Sequence, residues 1–147
     1  IDLFGAETAN LMAEILELFD PAIPVRLKQE LRERLNLEIF DNFLNRHRDF
    51  WWTSTHNNWN AVCHLGVVGA ALTQLDDLPK LAEILMLTGA NLNRFLDGFM
   101  DDGGCSEGPA YWSYGFGWFA KLNAQLEARS RGMLSLFEGN SKIQKIF

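Results

Sequence analysis

Apolar residues recur along this 147-residue chain at three- and four-residue intervals, separated by short Asp/Pro, Asn-rich or Gly-rich stretches, and nowhere do they alternate as in a strand. Leu3, Ala6, Ala9, Leu11, Met12, Ile15, Leu16 and Phe19 trace an amphipathic helix that ends at Asp20-Pro21. A second helix begins near Pro24, a residue suited to the first helical turn, and presents Leu27, Leu31, Leu35, Ile39, Phe43 and Leu44 on one side before stopping near Phe50. Its other side carries Lys28, Glu30, Arg32, Glu33 and Arg34 as solvated charge. A third segment, running from an aromatic and polar loop at 51–58 through Leu75, is almost uncharged. Its Ala61, Gly66, Gly69, Ala70 and Ala71 allow neighbours to approach closely, so it predicts a helix buried on most sides. A fourth helix starts at Pro79, carries Leu81, Ile84, Leu85, Leu92, Phe95 and Leu96, and breaks at Asp101-Asp102-Gly103-Gly104. The fifth runs from Pro109 to about Arg131 with Trp112, Phe116, Phe119, Leu122 and Leu126 as core. Met133 to Phe147 reads as one or two helical turns with Ser141 as a cap. The class is all-α.

Short connections make successive helices antiparallel, so loops alternate between the two ends of the array. The Asp/Pro connections at 20–24 and 76–79 fall at one end. The longer loops at 51–58 and 101–109, rich in Trp, His, Asn, Gly and Ser, fall together at the other, and long loops on a rigid scaffold are where binding and catalysis concentrate.

Composition narrows the function. Hydrophobic residues make up 48% and charged residues 22%, with 4 Pro, which excludes a disordered or collagenous chain. The formal charge of -6 and the absence of any Lys/Arg block argue against nucleic acid. No stretch is apolar for the roughly 20 residues that a membrane span needs. Cys63 and Cys105 fit neither a disulfide framework nor a CxxC motif and read as buried free thiols. The start at Ile1, without the basic and apolar regions of a signal peptide, reads as a start inside a longer protein, with residues 1–147 one helical segment of it. The unusual feature is aromatic: 11 Phe, 5 Trp and 2 Tyr, with every Trp and both Tyr between Trp51 and Trp118.

The first loop places His56, Asn57, Asn58 and Asn60 around Trp59 and beside Trp51 and Trp52. One Asn is an ordinary helix cap, but several amides exceed what capping requires. On the third helix Asn57, Asn60 and His64 share a face at i, i+3 and i+7, which makes either a functional stripe or a hydrogen-bonded core network. No third ligand is spaced to complete a metal site with His56 and His64. In the second loop and the helix after it, Tyr111, Tyr114 and Trp118 share a face in the same way. Tyr in place of Phe marks a ring edge that is wet or has a task.

Taken together, Asn57-Asn58-Trp59-Asn60-Ala61-Val62-Cys63 and Asp102-Gly103-Gly104-Cys105-Ser106-Glu107-Gly108-Pro109-Ala110-Tyr111-Trp112-Ser113-Tyr114-Gly115 resemble the heparinase II/III-like polysaccharide lyases over about 51–138. The resemblance implies part of an (α/α) toroid whose cleft binds an acidic, uronic-acid polysaccharide and cleaves it by β-elimination, in a periplasmic or secreted protein. It implies Asn58, with Asn57 close behind, as the group that neutralises the uronate carboxylate, and Tyr111 as catalytic phenol with Tyr114 as alternate. His56, Trp52, Trp59, Trp112, Tyr114 and Glu107 follow as substrate-binding or bracing residues. No cofactor is evident in this segment, and the metal content of other parts of the protein is not readable from it. Two features depart from the family. Trp59 stands where many relatives carry His, and no Lys or Arg occurs between Arg48 and Lys80 or between Arg94 and Lys121, which favours a less sulfated polymer or a cleft whose basic residues come from the remainder of a longer protein. The competing readings are a glycoside hydrolase using Asp101, Asp102 and Glu107, and a carbohydrate-binding domain without catalysis. An incomplete array also exposes apolar helix faces, which favours self-association.

Overall fold

The uncharged segment becomes the axis of the molecule. In the computed structural model, which describes residues 1–146, the helix Asn58–Gln74 is buried along nearly its whole length because other helices flank it on several sides. Four long helices make up the frame: α1 (Leu3–Leu18), α4 (Asn58–Gln74), α5 (Leu78–Asp97) and α6 (Pro109–Ser130). Between α1 and α4 lie α2 (Val25–Arg34) and the short α3 (Asn42–Arg46); α7 (Ile143–Ile146) closes the described chain. Among the described residues no strand forms, and the all-α class is observed. No described helix is long and apolar enough to cross a membrane.

Contact with α4 decides which face α1 buries, and it is not the leucine-rich one. Ala6, Ala9, Asn10, Ala13 and Leu16 are buried, while Leu11, Met12, Ile15 and Phe19, expected on the inner side, point outward with Phe4 and Leu18. The cause lies on the partner helix. A Cβ on Gly66 would collide with the Ala6 backbone carbonyl, and one on Gly69 with the Asn10 side chain, so the helices meet at backbone distance and only small residues fit between them. On the opposite flank Gly115 of α6 performs the same service: a Cβ there would lie 3.0 Å from Asn58 Cβ and 3.2 Å from Phe95.

The second expected helix is interrupted. α2 buries no residue, Leu27 included, and passes into a π-helical stretch, Leu35–Asp41, before α3 ends at Arg46. Leu35 and Phe40 are five positions apart and would diverge on an α-helix; the wider π turn brings both inward, followed by Phe43. Ile39, the residue expected on that face, is only partly buried. Two shorter corrections concern ends. α5 stops at Asp97, with Gly98 against the His56 carbonyl, and Phe99 then pairs with Cys105 across a small hairpin. Near α7 the side chain that accepts a backbone N–H is Asn140, from Lys142 at 3.1 Å, not Ser141.

Antiparallel succession places the loops as expected. At one end Lys28 reaches Asp20 (3.0 Å) and Arg32 reaches Gln74 (3.1 Å), tying the first short connection and the end of α4 to α2. The loops at 51–58 and 98–108 meet at the other. Because the contact at Gly66 is backbone to backbone, Gly66→Ala lowers unfolding stability by about 1–3 kcal/mol in urea titration. Gly117→Ala, on α6 with no atom within 4 Å of the new Cβ, raises stability by up to about 1 kcal/mol in the same assay.

Candidate functional site

A carboxylate holds the two loops together. The first N–H groups of α4 have no partner within the helix, and the helix dipole favours negative charge beside them. Asn57 caps Trp59 N at 3.2 Å, and the remaining demand is met across the chain by Glu107. Its Oε2 accepts from Asn58 N at 2.8 Å and its Oε1 from Asn58 Nδ2 at 2.7 Å. Glu107 thus braces the site, as one of its expected roles had it, and Asn58 is buried with its amide engaged. Asn57 is less buried, and its Nδ2 has no hydrogen-bond partner among the described residues.

The polar stripe of α4 is a core network. His64 is fully buried, with Nδ1 2.7 Å from Asn60 O and 2.9 Å from Asn60 Oδ1 and with Nε2 3.3 Å from Asn91 Nδ2. Asn60 Nδ2 in turn donates to Thr55 O (2.9 Å) and Asn91 O (3.1 Å). These partners fit a neutral imidazole that donates from Nδ1 and accepts at Nε2. Burial drives the His64 pKa down to about 4, against the opposing pull of its bond to Asn60.

The aromatic cluster divides into core and surface. Trp52, 1% exposed, has its indole N–H on Ile1 O at 2.8 Å and lies stacked with Phe50 and Phe43 and edge-on to His64. The assignment of Trp52 to substrate binding is therefore corrected: protein rings already occupy its faces. Trp51, 56% exposed, leans on the half-buried Trp59 with ring centroids 4.9 Å apart. Trp112, expected in the core, is half-buried, stacked on Phe116 with its N–H on Gly103 O at 2.9 Å.

The two tyrosines differ in environment. Tyr111 is 53% exposed, whereas Tyr114 donates its hydroxyl to Glu7 Oε1 at 2.6 Å. Burial, then the hydrogen bond and charge of Glu7, push the Tyr114 pKa well up, so its phenol stays protonated. Neither Glu7 nor Asn91 was identifiable from a local motif; each enters because a distant helix carries it in. The tail adds cations where the loops have none: Lys145 lies 3.6 Å from Asp101, and its carbonyl packs against Gly103. His56 is exposed. Cys63 is buried as expected, but Cys105 is only partly so, since it sits on a turn with its thiol near Gly108 O.

Two surface depressions take in only part of the expected set. A depression of about 360 Å³ lies beside Trp112 over the Gly103–Gly104 and Gly108–Pro109 backbone, and another of about 230 Å³ runs past Tyr114, Trp118 and Lys121. Neither includes Asn57, Asn58 or Tyr111. Among the described residues no three His, Cys, Asp or Glu side chains are grouped as a metal would require. No protein-family model matches the chain, and no curated protein matches it.

Two outcomes follow from this geometry. Above pH 6.5 His64 is neutral whether the chain is folded or not; as pH falls, the unfolded chain takes a proton that the folded one refuses until about pH 4. Equilibrium unfolding therefore shows about 3 kcal/mol lost over that window through this residue, and His64→Gln removes that part of the slope. Separately, Glu107→Ala leaves the Asn58 donors unpaired in a buried place and costs about 1–3 kcal/mol by chemical denaturation.

Proposed function

We propose that this chain is part of a polysaccharide lyase of the heparinase II/III-like kind, cleaving a weakly sulfated uronic-acid polymer by β-elimination. The observation that supports the reading is the Glu107–Asn58 clamp: the two motifs that carry the resemblance lie 49 residues apart in sequence and are joined directly in space. The outward apolar face of α1 fits the same reading, because an adjoining helix of a larger (α/α) toroid would cover Phe4, Leu11 and Leu18.

The chemistry asks for two groups. Removing the C5 proton of a uronate leaves an electron pair beside a carboxylate, and amide donors that bind this carboxylate stabilise the enediolate that forms. The pair then closes the C4–C5 double bond as the C4–O bond breaks, and the departing oxygen takes a proton. Asn57, with an uncommitted Nδ2, is better disposed as the donor than Asn58, whose amide already serves Glu107. Tyr111 is the exposed phenol that gives or takes the proton. Tyr114, locked to Glu7, positions the helix face. The exposed Trp51 ring beside Trp59 offers a sugar-stacking surface.

That Trp pair also favours the second reading, carbohydrate binding without catalysis. The hydrolase reading has less support, because two of its three carboxylates are engaged: Glu107 by Asn58 and Asp102 by Gly104 N at 2.9 Å.

Glucuronate and mannuronate polymers, incubated with this chain and with the longest natural polypeptide containing it, separate the readings. The lyase gives ultraviolet absorbance from an unsaturated product; new reducing ends without absorbance mean hydrolysis, and retention on the polymer with neither means binding alone. Tyr111→Phe lowers lyase turnover by about 10²–10⁴-fold, and undiminished activity in that variant would remove Tyr111 from the mechanism.

A further inference from the structure

α1, α4 and α6 lie side by side and run the same way. Ala6 sits at Gly66, Asn10 at Gly69, and Ala13 O accepts from Gln74 Nε2 at 3.0 Å; Asn58 sits at Gly115 and Gly69 at Gln125. Residue numbers therefore rise together across both contacts. Side chains of α1 and α6 also meet over α4 at matching levels, Glu7 with Tyr114 (2.6 Å) and Glu14 with Lys121 (3.0 Å). A layer of three parallel helices has two outer edges, one on α1 and one on α6.

These edges differ in kind. On α1, Phe4, Leu11, Ile15 and Leu18 are exposed along one strip at i, i+7, i+11 and i+14, on the side away from Ala6 and Ala13. They form a ridge of large apolar side chains. On α6 the side away from Gly115 and Phe119 presents Ala110, Gly117, Ala124 and Ala128, all exposed, at i, i+7, i+14 and i+18. A Cβ added at Gly117 would meet no atom within 4 Å. A row of small residues leaves a groove that a ridge on another helix can enter. Charge divides in the same way. α1 carries Glu7, Glu14 and Glu17 and no Lys or Arg. α6 exposes Lys121 and Arg129, has Arg131 at its C-cap, and turns its Glu127 to Asn123 (2.9 Å) and Ser135 (2.8 Å). Glu17 and Arg129 line one depression over α4, so they stand at the same level of the layer.

We propose that a second copy of this chain seats the small-residue edge of its α6 on the apolar ridge of α1, so that the parallel layer continues from one copy into the next. In that register Arg129 of one copy faces Glu17 of the other, and the acidic helix meets the cationic one. The two joined faces are different, so the contact is head to tail, and successive contacts either close into a ring or run on. The proposal names the source of the helix that the toroid reading sets against α1, and it rests on the two edges, not on the polymer chemistry. Lyase activity in a strictly monomeric protein would leave that reading standing and remove this one; association without lyase activity would do the reverse.

Sedimentation velocity of the full chain over a range of concentrations is the test, and the expected mass lies above the monomer and grows with concentration. Leu11→Glu and Gly117→Glu each weaken association by about ten-fold or more. Both positions are exposed, so both variants keep the helical circular dichroism of the parent; Leu18→Glu replaces Leu11→Glu should the latter not fold. Mixing the two variants restores a two-chain species, because one unaltered α1 and one unaltered α6 remain to meet. A monomer at every concentration overturns the proposal. Association that Gly117→Glu leaves intact also overturns it, since α1 would then pair with α1 or with another surface, as does a mixture of folded variants that stays monomeric.

Discussion

A helix that is buried nearly all round must satisfy every polar atom it carries from within the protein, and it can be approached closely only where its side chains are small. Both constraints act on α4. Gly66 and Gly69 bring α1 to backbone distance, and the α1 face with Ala6, Ala9 and Asn10 is the one that can accept that contact. The polar residues of α4 draw partners from elsewhere: His64 from Asn91, Asn58 from Glu107. Much of the remaining arrangement follows, since α1, α5 and α6 each have a face defined by what α4 will admit.

The candidate site inherits its rigidity from this arrangement. Glu107 belongs to a loop, but its carboxylate sits on the N-terminus of the most deeply buried helix, where hydrogen bonding and the helix dipole act in the same direction. A loop held in that way keeps Pro109 and the start of α6 in register with Asn57. The two tyrosines one turn apart then acquire different characters from α1 alone: Glu7 reaches Tyr114 and leaves Tyr111 to solvent.

The all-α class, the burial of α4 and the meeting of the two long loops were legible in the sequence, because each rests on periodicity, absence of charge or loop length. The His64 network was legible as one of two readings of a polar stripe. What could not be read depends on partners far along the chain. The α1 sequence offers both an alanine face and a leucine face, and only glycines about sixty residues away choose between them. The inward turn of Phe40 requires a π-helical stretch that an α periodicity hides. Trp52 looks like its neighbours Trp51 and Trp59 until Ile1, Phe43 and Phe50 enclose it. Asn58 looked free to meet a substrate because its partner comes from another loop.

The helix α2 shows how unevenly this stability is shared. None of its side chains is fully buried: Leu31 packs partly against the core, and Lys28 to Asp20, Arg32 to Gln74 and the continuation into the π-helical stretch, where Leu35 first enters the core, supply the rest. Surface contacts of this type contribute little. Stability is therefore uneven along the chain: the unit around α4 holds most of the buried side chains, and α2, with none fully buried, is where opening short of global unfolding costs least. Amide exchange and proteolytic nicking will report on α2 before they report on the protein.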